Sequence, residues 1–154
     1  MFNIVLHQPE IPPNTGNIIR LCANTGSKLH LIHPLGFVIS EKNLERAALD
    51  YGEGVEIIHH KNFEAFLQNT QLRSYYSVST KGEPMMNDIS IKAGDYLMFG
   101  SETKGLPKGC LTHEKCQKVI RIPMADGSRS LNLSNSVAII VYFALGQNDF
   151  IGFS

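Results

Sequence analysis

The chain has 154 residues, 43% of them hydrophobic and 18% charged. That suits one globular domain, residues 1–154, with a core of its own, and excludes a disordered chain. Its 14 basic and 14 acidic residues cancel, which excludes a strongly basic general nucleic-acid coat. Three cysteines, Cys22, Cys110 and Cys116, are an odd count that favours a reduced, cytoplasmic setting. The apolar start Phe2–Leu6 is too short for a signal or an anchor, and the longest apolar run, Val137–Leu145, cannot span a bilayer.

In chain order, Phe2–Leu6 reads as a strand, and Pro9, Pro12 and Pro13 stop it in an extended loop. Asn14 or Thr15 can cap a helix whose apolar stripe is Ile18, Leu21, Cys22 and Thr25, ending at Gly26. Lys28–Ile32 and Val55–Ile58 are predicted strands. A short helix after Ser40 is marked by Leu44, Ala47 and Ala48, and another by Phe63, Phe66 and Leu67. Tyr75–Ser79, Tyr96–Phe99 and Lys118–Ile122 are further strands, with a turn-rich surface excursion over Gly82–Gly94. Ala125–Leu133 is polar and irregular, and Ser134 or Asn135 caps a last helix through about Leu145. Strands alternating with helices predict an α/β fold with a mainly parallel sheet and helices on both faces. In such sheets ligands bind beyond the carboxyl ends of the strands.

The loops there carry the chemistry. In Pro12–Arg20, Gly16, Asn17, Arg20 and Asn24 share one helix face; a helix start with small polar residues and an arginine suits a phosphate or ribose, or is simply a capped helix with a solvated arginine. Phe99–Pro107 holds Gly100 and Gly105, which let backbone approach a ligand, but Leu106-Pro107 stands where a triphosphate loop needs lysine and a hydroxyl. Ile120–Met124 and Ser128–Ser136 are dense in polar groups that an adenosine could satisfy. Cys110, His113 and Cys116 supply only three potential metal ligands, so no metal is expected, and His59-His60 reads as surface. The run Val137–Leu145 is apolar nearly all round and needs a second cover, which predicts a dimer. Between Ser101 and Ser134, 6 cations face 3 carboxylates, a local basic patch.

Taken together, Pro9–Arg20, Asp95–Pro107, Ile120–Met124 and Ser128–Asn135 resemble the motifs of the SPOUT superfamily of RNA methyltransferases, nearest to its small single-domain members that methylate the wobble ribose of tRNA. The resemblance spans about residues 1–145. It implies a C-terminal deep trefoil knot, which no periodicity shows. It also implies S-adenosylmethionine as methyl donor, S-adenosylhomocysteine as product, and contacts from Val78, Thr80, Gly100, Glu102, Ile122, Met124, Ser130 and Leu131. It assigns Arg20 the central catalytic role, places Asn14, Ser128 and Asn135 beside the reacting ribose, and gives Tyr142 to substrate binding.

The implied reaction is 2′-O-methylation of cytidine or uridine at position 34, with leucine tRNAs as substrates, by a cytoplasmic homodimer that binds the tRNA anticodon stem-loop and needs neither membrane nor metal. One departure is the C-terminus, which has no basic residue after Arg129 where relatives can carry a basic tail. The competing expectations are methylation of another tRNA position or of ribosomal RNA, a binding module without turnover, and a flavodoxin-like nucleotide binder.

Overall fold

The computed structural model describes residues 1–38 and 54–154, together with Asn43, Arg46 and Asp50. The helix expected around Leu44, Ala47 and Ala48 lies outside the described residues. Among the described residues six strands form one sheet: β1 Asn3–His7, β2 Lys28–Ile32, β3 Ile57–His60, β4 Tyr75–Val78, β5 Tyr96–Phe99 and β6 Cys116–Ile120. Helices among the described residues include α1 Pro12–Thr25, α2 Phe63–Thr70, α3 Lys108–Thr112 and α4 Leu133–Gln147.

The strand order is β3-β2-β1-β5-β4-β6 and every pairing is parallel. Side chains alternate across it as a pleated sheet requires. Ile4, Leu6, Leu29, Leu31, Leu97 and Phe99 join a core with Ile18, Ile19 and Cys22 of α1 and Val137, Ile140 and Val141 of α4. Val5, Ile32 and Met98 face the other way, onto Phe66 of α2 and Cys110 of α3. Helices therefore cover both faces, as the pattern predicts.

Several boundaries differ from the sequence-based expectation, each for a local reason. Pro12 and Pro13 do not prolong a loop; they are the first residues of α1, where a missing N–H costs nothing. The N-cap is Ile11 and makes no side-chain bond, so neither Asn14 nor Thr15 caps this helix. Gly26 ends it at φ 61° in the left-handed region, as expected. β3 begins two residues later than predicted because β2 pairs with Ile57–His60. His60 is consequently buried at 1% exposure, stacked on His30 and edge-on to Phe66, rather than lying on the surface. β6 also begins and ends two residues earlier than expected, since Arg121 leaves the sheet to bridge Met85. α3 had no signal beyond Pro107, because one turn of helix shows no period.

The stretch Gly82–Gly94 is not merely a surface excursion, for Ile91 is 1% exposed in the core. Its backbone crosses the end of β6. A Cβ on Gly82 would stand 2.5 Å from the Val119 carbonyl oxygen, so only glycine permits the approach. Arg121 N–H donates to Pro84 and Met86 N–H to Arg121 across the same crossing. The end of α4 returns to this stretch: Gln147 pairs with the backbone of Ile89 and Ile91, and Asn148 donates to the Ile91 carbonyl.

Candidate active site

The carboxyl ends of β1, β5, β4 and β6 lie side by side in the sheet. The loops that leave them enclose a cavity of about 440 Å³. The position is the one where open α/β sheets hold ligands, and the volume suits a nucleoside-sized molecule. Its wall is made of Ile11 and Asn14, the stretch Val78–Lys81, the stretch Phe99–Leu106, and Arg121, Ile122, Met124, Ser130–Leu133 and Ser136.

All eight residues that the resemblance assigns to the cofactor, Val78, Thr80, Gly100, Glu102, Ile122, Met124, Ser130 and Leu131, line this cavity, and so does Asn14. Arg20, Ser128, Asn135 and Tyr142 are not among its lining residues. Arg20 is exposed on α1, on the face shared with Asn17 and Asn24. It lies six residues beyond Asn14, about 9 Å along the helix axis. Ser128 and Asn135 are exposed beside the third loop. Tyr142 is 49% exposed on α4. α4 is thus not wholly internal: Val137, Ile140, Val141, Ala144 and Leu145 are buried, while Ala138, Ile139 and Phe143 stay partly exposed.

A chain of hydrogen bonds ties the loops together. The Glu102 carboxylate accepts from Glu10 N–H at 2.7 Å, Ile11 N–H at 3.1 Å and Asn14 Nδ2 at 3.3 Å. Asn14 is 5% exposed, and its Oδ1 accepts from Asn132 Nδ2 at 3.0 Å. Asn132 Oδ1 in turn accepts from the backbone of Ser134 and Asn135. Asn132 is therefore the N-cap of α4, in place of Ser134 or Asn135. One asparagine both starts a helix and reaches across to the first loop. The Glu102 carboxylate thus takes three donors from the protein itself, which fixes its side chain in the cavity wall.

Gly100 has a different reason to be glycine from contact with a ligand alone. A Cβ there would lie 2.1 Å from the Gly105 carbonyl carbon and 2.3 Å from Leu106 N, inside its own loop. Gly105 takes φ 64°, which closes that loop back on itself, with Gly105 N–H donating to Ser101.

Glu10, Thr103 and Asn132 take part in this network but carried no expectation from the sequence. Asn132 had a usable signal, an acceptor two and three residues before unpaired helix N–H groups. Glu10 had none, because its partner lies 93 residues away.

Cys110, His113 and Cys116 belong to the opposite face. The Cys110 thiol is buried and its pKa is pushed up to about 12 by burial. Cys116 shares a hydrogen bond with Ser77 at 3.4 Å.

A parallel sheet with its cavity at the carboxyl ends, walled by the segments that follow four of its strands, is the arrangement in which α/β enzymes hold nucleoside-bearing ligands. Residues 1–142 match the sequence profile of the SpoU rRNA Methylase family, and the chain belongs to that family. It is 53% identical over 152 residues to the tRNA (cytidine(34)-2′-O)-methyltransferase of Saccharophagus degradans, covering 99% of both chains. A solved structure described as giving insight into 2-OH methylation of C/U34 on tRNA is 40% identical, with a TM-score of 0.87 over 97% of each chain. The SpoU methyltransferase AviRb from Streptomyces viridochromogenes, solved with AdoMet, shares the fold at a TM-score of 0.83 and 22% identity, over 96% of this chain and 60% of that one. The shared fold implies the C-terminal trefoil knot that the motif resemblance leads one to expect.

Proposed function

We propose that this protein transfers a methyl group from S-adenosylmethionine to the ribose 2′-hydroxyl of nucleotide 34, cytidine or uridine, in tRNA. The observation that carries this is the cavity: the segments that follow four separate strands converge on it, and it includes every residue that the motif resemblance reserved for the donor. The full-length relative that methylates cytidine 34 fixes the substrate class.

The residues present fit the donor. Glycine backbone at 100 and 105, apolar Val78, Ile122, Met124 and Leu131, and the hydroxyls of Thr80 and Ser130 offer an apolar bed with a few polar contacts for adenosine. When bound, the donor supplies an already activated methyl on a sulfonium. The protein's tasks are then alignment and handling of one proton.

Arg20 cannot accept that proton, since a guanidinium has no lone pair to offer and stays charged. Its role is to grip the phosphate flanking the target ribose and hold the hydroxyl in line. Asn14, fixed between Glu102 and Asn132, sets the position of the helix that carries Arg20. Ser128 and Asn135 border the ribose side, and Tyr142 contacts substrate.

The protein acts as a homodimer. Support comes from a partly uncovered apolar surface: Ile139, Tyr142 and Phe143 of α4, with Phe150 at 45% and Ile151 at 73% exposure close by in sequence. The Phe150 ring packs within 3.6 Å of the Cβ position at Gly146, which puts the tail on α4. No described helix is long and apolar enough to cross a membrane, and a tRNA substrate fits a cytoplasmic location. Leucine tRNAs are the expected isoacceptors.

The test is in vitro methylation of total tRNA with labelled donor, followed by mapping of the labelled nucleotide. Label on the 2′-oxygen of nucleotide 34 is the expected result. Label confined to another position or to ribosomal RNA would overturn the assignment.

A further inference from the structure

The first and second loops are joined by a crossed exchange between two glutamates. Glu10 N–H and Ile11 N–H donate to the Glu102 carboxylate. In return, Glu10 Oε1 accepts from Thr103 Oγ1 at 2.7 Å and from Thr103 N–H at 3.3 Å. Each loop thus offers backbone donors to the other loop's carboxylate. The Glu10 end is backed by a third segment: Gly36 N–H donates to the Pro9 carbonyl at 2.9 Å, and a Cβ on Gly36 would stand 2.9 Å from Glu10 Cα. Position 36 has to be glycine for the loops to stack this closely.

Glu10 does not line the cavity, but Ile11 beside it and Asn14 in the first turn of α1 do, and Glu102, Thr103 and Lys104 do on the other loop. It therefore works from behind the wall. Its loop runs directly into Pro12, the first residue of α1, and α1 carries Asn14 and Arg20. A helix is stiff, so a shift at its root is delivered to Arg20.

We propose that Glu10 is a positioning residue for methyl transfer. Through Thr103 it locks the root of α1 to the cofactor loop, and so fixes the distance from the donor to the groups that align the ribose. This rests on the function proposed above. It predicts a loss in the chemical step rather than in donor affinity, because misplacement of about 1 Å remote from the reacting atoms can cost up to about a hundredfold in rate.

The experiment compares Glu10→Ala, Glu10→Gln, Thr103→Val and the double variant Glu10→Ala/Thr103→Val in the full chain. It measures single-turnover methylation of saturating tRNA, the Kd for S-adenosylhomocysteine by calorimetry, and the Tm. Glu10→Ala and Thr103→Val should each slow turnover about tenfold or more, and Glu10→Ala, whose residue lies outside the cavity lining, should keep Kd within about twofold of native. The double variant should be no slower than Glu10→Ala, because loss of the carboxylate already removes the hydroxyl bond that Thr103→Val removes. Glu10→Gln should stay within about threefold of native, since both bonds from Thr103 end on one oxygen that an amide carbonyl can replace.

Native turnover in Glu10→Ala, additive losses in the double variant, or equal losses in Glu10→Gln and Glu10→Ala would each overturn the proposal. So would a fall in donor affinity that accounts for the whole effect. Should Glu10→Ala not fold, Thr103→Val, in an exposed loop, still tests the contact. Native protein that binds no S-adenosylhomocysteine, or methylates no tRNA, would instead overturn the proposed function itself.

Discussion

Changing Asn14 to aspartate replaces one NH2 by an oxygen and leaves the shape intact. Asn14 is 5% exposed and donates over 3.3 Å to the Glu102 carboxylate. The substitution removes a hydrogen bond to a charged acceptor, worth about 1.5–3 kcal/mol, and sets a second carboxylate against the first. Two unit charges about 4 Å apart repel by about 4 kcal/mol at an effective dielectric of about 20. Glu102 is partly exposed, so solvent screens much of that. The sum leaves an expected destabilisation of about 2–4 kcal/mol at pH 8.

The pH dependence has a definite sign. Crowding raises the introduced carboxyl's pKa in the folded state above its ordinary value. The folded variant therefore takes up a proton that the unfolded chain does not, and its deficit shrinks as the pH falls from 8 towards 5. Once protonated, the group can donate to Glu102 in place of the lost amide. Urea unfolding of both proteins at pH 8, 6.5 and 5 measures the difference, in which titrations common to both cancel. A deficit below about 0.5 kcal/mol, or one that does not change with pH, would refute the relay through Asn14.

Arg20→Ala should leave the calorimetric affinity for S-adenosylhomocysteine intact and abolish methylation; near-native turnover would contradict its role. Gly100→Ala drives a Cβ into Gly105 and Leu106, so the loop must open, and affinity for S-adenosylhomocysteine should fall at least about tenfold, with an unchanged Kd counting against this loop as a wall. Asn132→Ala removes the cap of α4 and the partner of Asn14. Urea unfolding should show a loss of about 1.5–3 kcal/mol, and a loss no larger than an ordinary surface change would count against the double role.

His30, 3% exposed, has its pKa lowered to about 4 by burial and by neighbouring His60. The unfolded imidazole titrates near 6.5. The unfolded chain therefore binds the proton first. Stability from this site is fully present above about pH 6.5 and drains as the pH falls from there to about 4. Asn3 donates Nδ2 to Gly94 and so turns Oδ1 to His30 Nε2, which carries the proton; His30 Nδ1 then accepts from His60 Nε2. Nitrogen chemical shifts should report that tautomer and a neutral ring at pH 5.5. Protonation of His30 near pH 6.5 in the folded protein would contradict it.

The alternating layers were legible because periodicity is local. The strands Lys28–Ile32 and Tyr96–Phe99 stand where β-branched and apolar residues predict them. Errors cluster where long-range pairing decides. β3 slid two residues to follow β2, drawing His60 into the core. Asn14 reads as a cap from its position before an apolar stripe, but two prolines already start the helix, which releases its side chain to Glu102 and Asn132. Gly82 reads as part of a turn-rich stretch and Gly100 as a place where backbone can approach a ligand, and Gly36 carries no reading of its own; each is required because another backbone segment passes within contact distance. That segment is remote in sequence for 82 and 36, so no short pattern could show it. Motif resemblance named the cavity residues; it did not show the Glu10–Thr103 exchange that holds two of the loops together.

The most direct measurement is a crystal structure with S-adenosylhomocysteine bound. The account predicts the adenosine between the loops that begin after Val78, Phe99 and Ile120, with the sulfur turned towards the N-terminal end of α1 and the Glu102–Asn14–Asn132 chain unbroken. Ligand density on the opposite face of the sheet, beside Cys110 and Phe66, would contradict it.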